Sequence, residues 1–102
     1  MPFKPKINDQ MIAGLYQAIL ELETLEETQR FFEDICTIKE IQSISQRLEV
    51  AKLLREGKTY GEIEGTTGAS TATISRVNRC LHYGANGYKL ILDKINREQG
   101  SR

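Results

Sequence analysis

The side chains best equipped for chemistry lie in the stretch 57–84, GKTYGEIEGTTGASTATISRVNRCLHYG. Thr71, Ala72, Ser75 and Arg76 are spaced to share the outward side of a helix, and Arg79 follows one turn on. Thr and Ser hydroxyls donate and accept hydrogen bonds, an Ala methyl suits an apolar contact, and Arg carries a planar fork of donors. This is the chemistry of recognition, not of bond making. It matches what the DNA major groove displays: amino donors, carbonyl and ring-nitrogen acceptors, thymine methyls, and phosphates at the rim.

Covalent chemistry is poorly served. There is one histidine, His82, expected to be a surface residue at a helix end. No Gly-rich phosphate loop follows a strand, and no nucleophile stands beside a base, so the expectation is a non-enzyme without a cofactor. Cys36 and Cys80 lack a CxxC partner and are expected to be buried free thiols, with no metal site.

The recognition side chains need a rigid frame, and the same stretch predicts one. Thr59-Tyr60-Gly61-Glu62 reads as a capping box opening a short helix that runs through Ile63. Gly65, Thr66, Thr67 and Gly68 are expected to break it, with Gly68 supplying a positive φ. Ser70 can cap a second helix from about Thr71 to about His82, whose Ile74, Val77 and Leu81 pack inward. Two short helices joined by a tight Gly-containing turn form a helix-turn-helix, whose second helix is sized for the major groove. From Gly65 through Leu92 there is no Asp or Glu.

The run Gly68-Ala69-Ser70-Thr71-Ala72-Thr73-Ile74-Ser75-Arg76 resembles the recognition helix of the Trp repressor superfamily, G-A-G-x-A-T-I-T-R. The chain is most similar to the YerC/YecD-like branch of that superfamily, and the likeness covers most of its length. The resemblance implies an all-α, intertwined homodimer in the bacterial cytoplasm, a sequence-specific transcription regulator whose partner is double-stranded operator DNA. By position, Thr71, Ala72 and Ser75 take the base-contacting places. Lys58, Thr59, Ser70, Thr73, Arg76 and Arg79 complete the candidate DNA-facing set, and Lys89 is a further phosphate candidate. Arg76 also takes the place of an arginine that stacks on a tryptophan corepressor.

Departures from the family pattern bear on that ligand. Val77 stands where tryptophan-binding members have a glycine that leaves room for an indole. A second corepressor arginine falls at Gln46; Arg47 is adjacent but points roughly 100° away on a helix. A serine place is Cys80. The expectation is a regulator that does not respond to tryptophan, with an unidentified small effector, where one exists, near Gln46, Arg47, Arg76 and Cys80. Gly61 and Glu64 occupy places where the family carries basic, phosphate-facing residues, so fewer backbone contacts are expected from the first helix.

The chain has 102 residues and a formal net charge of zero, and reads as a single helical domain. Residues 8–56 are expected to be dimerisation helices, 57–84 the helix-turn-helix and 85–98 a C-terminal dimer helix. Residues 1–37 hold three basic and seven acidic residues, net −4, and residues 38–102 hold eleven and seven, net +4. A basic C-terminal half on an acidic body suits a dimer core carrying a nucleic-acid reader. No signal-like apolar run opens the chain and no stretch approaches the ~20 apolar residues that span a bilayer, so a cytoplasmic protein with no membrane partner is expected.

In chain order, residues 1–7 are expected to be a loose arm whose Lys4 and Lys6 can brush phosphate. Asn8 or Asp9 caps a helix with Met11 or Ile12, Leu15, Ile19 and Leu22 on its apolar face. Thr24 and Glu27 box the start of the next, whose face is Leu25, Thr28, Phe32 and Ile35. Thr37 and Glu40 box the longest, about Ile38 to Arg55, with Ile38, Ile41, Ile44 or Ser45, Leu48, Ala51 and Leu54 at helical spacing. Gly57 ends it, Gly84 ends the recognition helix, and Asn86 caps a last helix with Tyr88, Ile91, Leu92 and Ile95 inward. The tail NREQGSR is expected to fray. These wide apolar faces exceed what a chain this small can cover, which favours a second copy; the competing reading is a helical protein-interaction module without DNA binding.

Overall fold

The computed structural model describes residues 3–99. They form α1 (Gln10–Leu20), α2 (Leu25–Ile35), α3 (Ile38–Arg55), α4 (Tyr60–Thr67), α5 (Thr71–Tyr83) and α6 (Gly87–Gln99), and no strand is found among them. No described helix is long and apolar enough to cross a membrane. The chain divides into two compact units between Ile38 and Lys39, one built on α1 and α2, the other on α3 to α6.

In the first unit each helix start is fixed locally. Asp9, not Asn8, caps α1: one carboxylate oxygen accepts from the Met11 and Ile12 N–H groups at 2.7 and 3.3 Å. The Thr24 hydroxyl accepts from the Glu27 N–H at 3.1 Å. The expected box is displaced by one residue, because the Glu27 carboxylate takes the Glu23 N–H, at 2.9 Å. Phe31 and Phe32 meet edge to face with centroids 5.7 Å apart. Neither helix buries a residue. Ile12, Ile19, Leu22, Phe31 and Phe32 are half-buried, whereas Met11, Leu15, Leu25 and Ile35, expected inward, are exposed in the single chain. Cys36 is a half-buried free thiol, less enclosed than expected.

In the second unit the core is Val50 and Ala51 of α3, Ile63 of α4, Ala69 of the turn, Ile74 and Val77 of α5, and Leu92 of α6. Leu53, Leu54, Tyr60, Leu81 and Tyr88 pack against it. Val50 was not on the expected face of α3, while Ile38, Ile44 and Leu48, which were, are exposed. The helix carries apolar residues around more than one side, and only the side bearing Val50 and Ala51 meets α4 to α6 of this unit.

The helix ends follow elementary backbone chemistry. At Gly57, φ is 86°, and the Gly57 and Lys58 N–H groups donate to the Leu54 and Leu53 carbonyls, a Schellman end. Gly68, at φ 76°, ends α4 the same left-handed way. Contrary to the expectation from composition, Gly65, Thr66 and Thr67 do not break α4; they lie inside the helix, whose last turn is carried by the Thr67 hydroxyl bond to the Ile63 carbonyl at 2.7 Å. Gly84 is required for a different reason: a Cβ there would lie 2.5 Å from the Cys80 carbonyl oxygen. Asn86 precedes α6 in the left-handed region, at φ 70°, and contributes its backbone carbonyl to the Leu90 N–H. The helix continues through Gln99, so 96–99 are helical rather than frayed; the rest of the tail lies outside the described residues, as do Met1 and Pro2 of the arm.

Two tethers join α3 to later helices. The Gln46 side-chain amide donates to the Thr67 carbonyl of α4 at 3.1 Å, and Arg55 pairs with Asp93 of α6 at 2.7 Å. Both partners of that ion pair are partly exposed, so it contributes at most about 1 kcal/mol. Apolar burial carries the unit.

Candidate nucleic-acid interface

Helix α5 is held by its inner face. Ile74 and Val77 are fully enclosed, and the intervening geometry turns Thr71, Ala72, Ser75, Arg76 and Arg79 to solvent. The two ion pairs found among the described residues, Glu26–Arg30 and Arg55–Asp93, include neither Arg76 nor Arg79. Lys58 and Lys89 are also exposed.

Several other candidates are engaged in building the frame. The Ser70 hydroxyl accepts from the Thr73 N–H and donates to the Thr73 hydroxyl, both at 3.1 Å, and Thr73 is half-buried. At α4 the box is complete: the Thr59 hydroxyl accepts from the Glu62 N–H at 3.1 Å, while the Thr59 N–H donates to the Glu62 carboxylate at 2.8 Å. Thr59 therefore serves Glu62, and a carboxylate already occupies the positive end of α4. Thr71 donates its hydroxyl to the Glu64 carboxylate, linking the last turn of α4 to the first residue of α5.

The box has a pH consequence. The Thr59 backbone N–H, then its hydroxyl, hold the Glu62 carboxyl below its ordinary value of 4.5. A carboxyl depressed in the folded state adds stability that is present above its unfolded value and is lost as pH falls through the folded one. The stability difference between the wild type and Glu62→Gln should therefore shrink on acidification below about pH 4.5. Thermal melts across pH 3 to 7 check this; a gap that stays constant would show the box is not titrating.

Three of the four effector candidates lie within electrostatic range of one side chain, and one is committed elsewhere. Arg47 of α3 and Arg76 and Cys80 of α5 all act electrostatically on the Tyr88 phenol of α6. Burial raises the Tyr88 pKa above 10, and the two arginines pull the other way. Gln46 is instead committed to Thr67. Cys80 is exposed, not buried as expected. Val77 is part of the core, so the place of the family glycine is filled by packed side chain. Sequence reasoning placed Tyr88 inward but missed that it joins this group, and it missed the Glu64–Thr71 bond. Both depend on contacts between helices, which no local spacing announces.

The comparisons agree with this architecture. The family model described as Trp repressor protein matches residues 10–96. An uncharacterized protein of Bacillus subtilis (strain 168), YerC, is 55% identical over 94 residues, spanning 92% of this chain and 90% of that one. The crystal structure of a TrpR-like protein from Eubacterium eligens is 57% identical, with a TM-score of 0.84 over 88% of this chain and 93% of that one. A Staphylococcus aureus structure is 53% identical, again with a TM-score of 0.84, over 87% and 89%. With an all-helical fold, a matching family model over most of its length and relatives above half identity, the chain belongs to the Trp repressor protein family, in the branch that holds YerC.

Proposed function

We propose that this protein is a sequence-specific, DNA-binding transcription regulator that works as a cytoplasmic homodimer, as one domain per copy, with α4 and α5 as its helix-turn-helix. The observation that carries the reading is α5 itself: Thr71, Ala72, Ser75, Arg76 and Arg79 exposed on one side, Ile74 and Val77 buried on the other. The family supports DNA regulation in general. Small polar residues and arginines near the start of an exposed helix are what major-groove reading requires.

The dimer is supported by what one copy leaves uncovered. Met11, Leu20, Leu25 and Ile38 are each at least 74% exposed, and no residue of α1 or α2 is buried. A second copy is the occupant that also supplies a second reader, about one helical turn (~34 Å) away on a twofold operator.

The test is retention of a mixed duplex pool at rising salt, with mass measured by sedimentation. Binding should weaken steeply, the slope following the number of phosphates contacted, and the mass should be that of two chains. Retention independent of salt, or none at low salt, would leave the protein-interaction reading in its place.

For control, a small effector between Arg47, Arg76 and Cys80 would act by shifting α5 toward its binding-competent state. Tryptophan is a poor fit, because Val77 fills the space and Gln46 is engaged. Calorimetry with millimolar tryptophan should register no heat of binding; tight binding would overturn this.

A further inference from the structure

The bond between Glu64 and Thr71 gives the recognition helix a property beyond affinity. We propose that Glu64 determines which base Thr71 reads, by fixing the direction of the Thr71 hydroxyl. The proposal rests on the DNA-binding reading above and deepens it.

A threonine hydroxyl has one proton and two lone pairs, so a free hydroxyl can answer either a donor or an acceptor on a base edge. An ionised carboxylate can only accept. Since Thr71 bonds Glu64, it is Thr71 that donates, and its single proton is used. What remains at the exposed tip of α5 is a pair of lone pairs beside a negatively charged carboxylate. Both residues are exposed, so the pair stands at the surface where α5 begins.

That surface accepts hydrogen bonds and repels acceptors. In the major groove the donors are the exocyclic amino groups, N4 of cytosine and N6 of adenine; guanine offers N7 and O6, thymine O4, all acceptors. Each base pair carries one such amino group, so what is read is the strand on which it lies. Cytosine suits the pair best, because adenine sets its N7 acceptor beside the amino group. The same carboxylate explains why an acid is tolerated on a helix that faces a polyanion: it is spent on specificity, at some loss of backbone affinity.

The experiment is selection of duplexes from a random pool, at one fixed salt, by the full chain and by Glu64→Ala, Thr71→Val and Thr71→Ser. The wild type should enrich a motif with one column per half-site that is C or A on a given strand. Thr71→Val removes the hydroxyl at near-constant shape and should flatten that column by about fivefold, leaving the others intact. Thr71→Ser keeps the hydroxyl and should keep the column. Glu64→Ala frees the proton, so the column should admit G and T while total retention rises. A wild-type motif whose columns all survive in Glu64→Ala and Thr71→Val would overturn this proposal alone. A wild-type pool with no enriched sequence would overturn the DNA-binding reading and this one with it.

Discussion

A chain carrying Arg76→Ala together with Arg79→Ala should hold duplex DNA at least ~100-fold more weakly than the wild type, with helical signal and dimer mass unchanged. The magnitude follows from what an arginine contributes at a groove. A base-edge or phosphate contact of this kind is worth about 1–3 kcal/mol. In the proposed dimer two copies would lose two arginines each, and even the low end of that range gives about 4 kcal/mol before any loss to non-additivity. Stability should not follow, because both side chains are exposed and neither belongs to an ion pair found among the described residues. The reliance on these two is heightened by α4, which presents Gly61 and Glu64 where basic residues would add phosphate contacts. Gel retention across a salt series, with circular dichroism and sedimentation as controls, checks the prediction. Retention equal to that of the wild type would mean that α5 does not carry the contact.

What the sequence makes legible is chemistry that closes within about four residues. Asp9, Thr24, Thr59 and Ser70 cap the helices they were expected to cap, since each side chain reaches an N–H two or three positions on. Gly57 and Gly68 end helices because a positive φ is cheap only for glycine. The outward set on α5 was legible for a similar reason: Ile74 and Val77 fix the inner side, and a helix leaves no choice about the other. Packing between elements was less legible. On α3 the periodic run reaches the core only at its C-terminal end, through Ala51 and Leu54, where Val50 joins it; Ile38, Ile44 and Leu48, earlier in the same run, are exposed. Gly65 looked like a breaker because propensity is a weak prior, and the Gln46–Thr67 bond with Ile63 burial holds the last turn of α4. At the site, the nearness of Arg47 and Arg76 was suggested only by family likeness, and that both act electrostatically on Tyr88 of α6 was not legible at all.

Truncating Ile63 to alanine should cost about 2–5 kcal/mol, the largest stability loss expected from a single side chain of α4. The helix has eight residues, two of them glycine and two threonine, a length and composition that do not hold a helix in water. Its caps satisfy backbone groups at each end but bury little. Ile63 is its one buried residue, at 0% exposed, enclosed with Val50 and Ala51 from α3 and Ile74 and Val77 from α5. Removing three carbons there takes the contact from α4 and opens a void under the turn that sets α5. Against a total of about 5–15 kcal/mol for a domain, that is a large share. Ile63→Val, which removes one carbon, should cost only about 0.5–1.5 kcal/mol. Urea midpoints at matched protein concentration measure both, since a dimer's stability depends on concentration. DNA retention should fall in Ile63→Ala even where the chain stays mostly folded, because Glu64 and the turn before Thr71 ride on the helix that Ile63 anchors. A loss below about 1 kcal/mol would mean that the caps and the Gln46 tether, rather than this side chain, hold α4 in place.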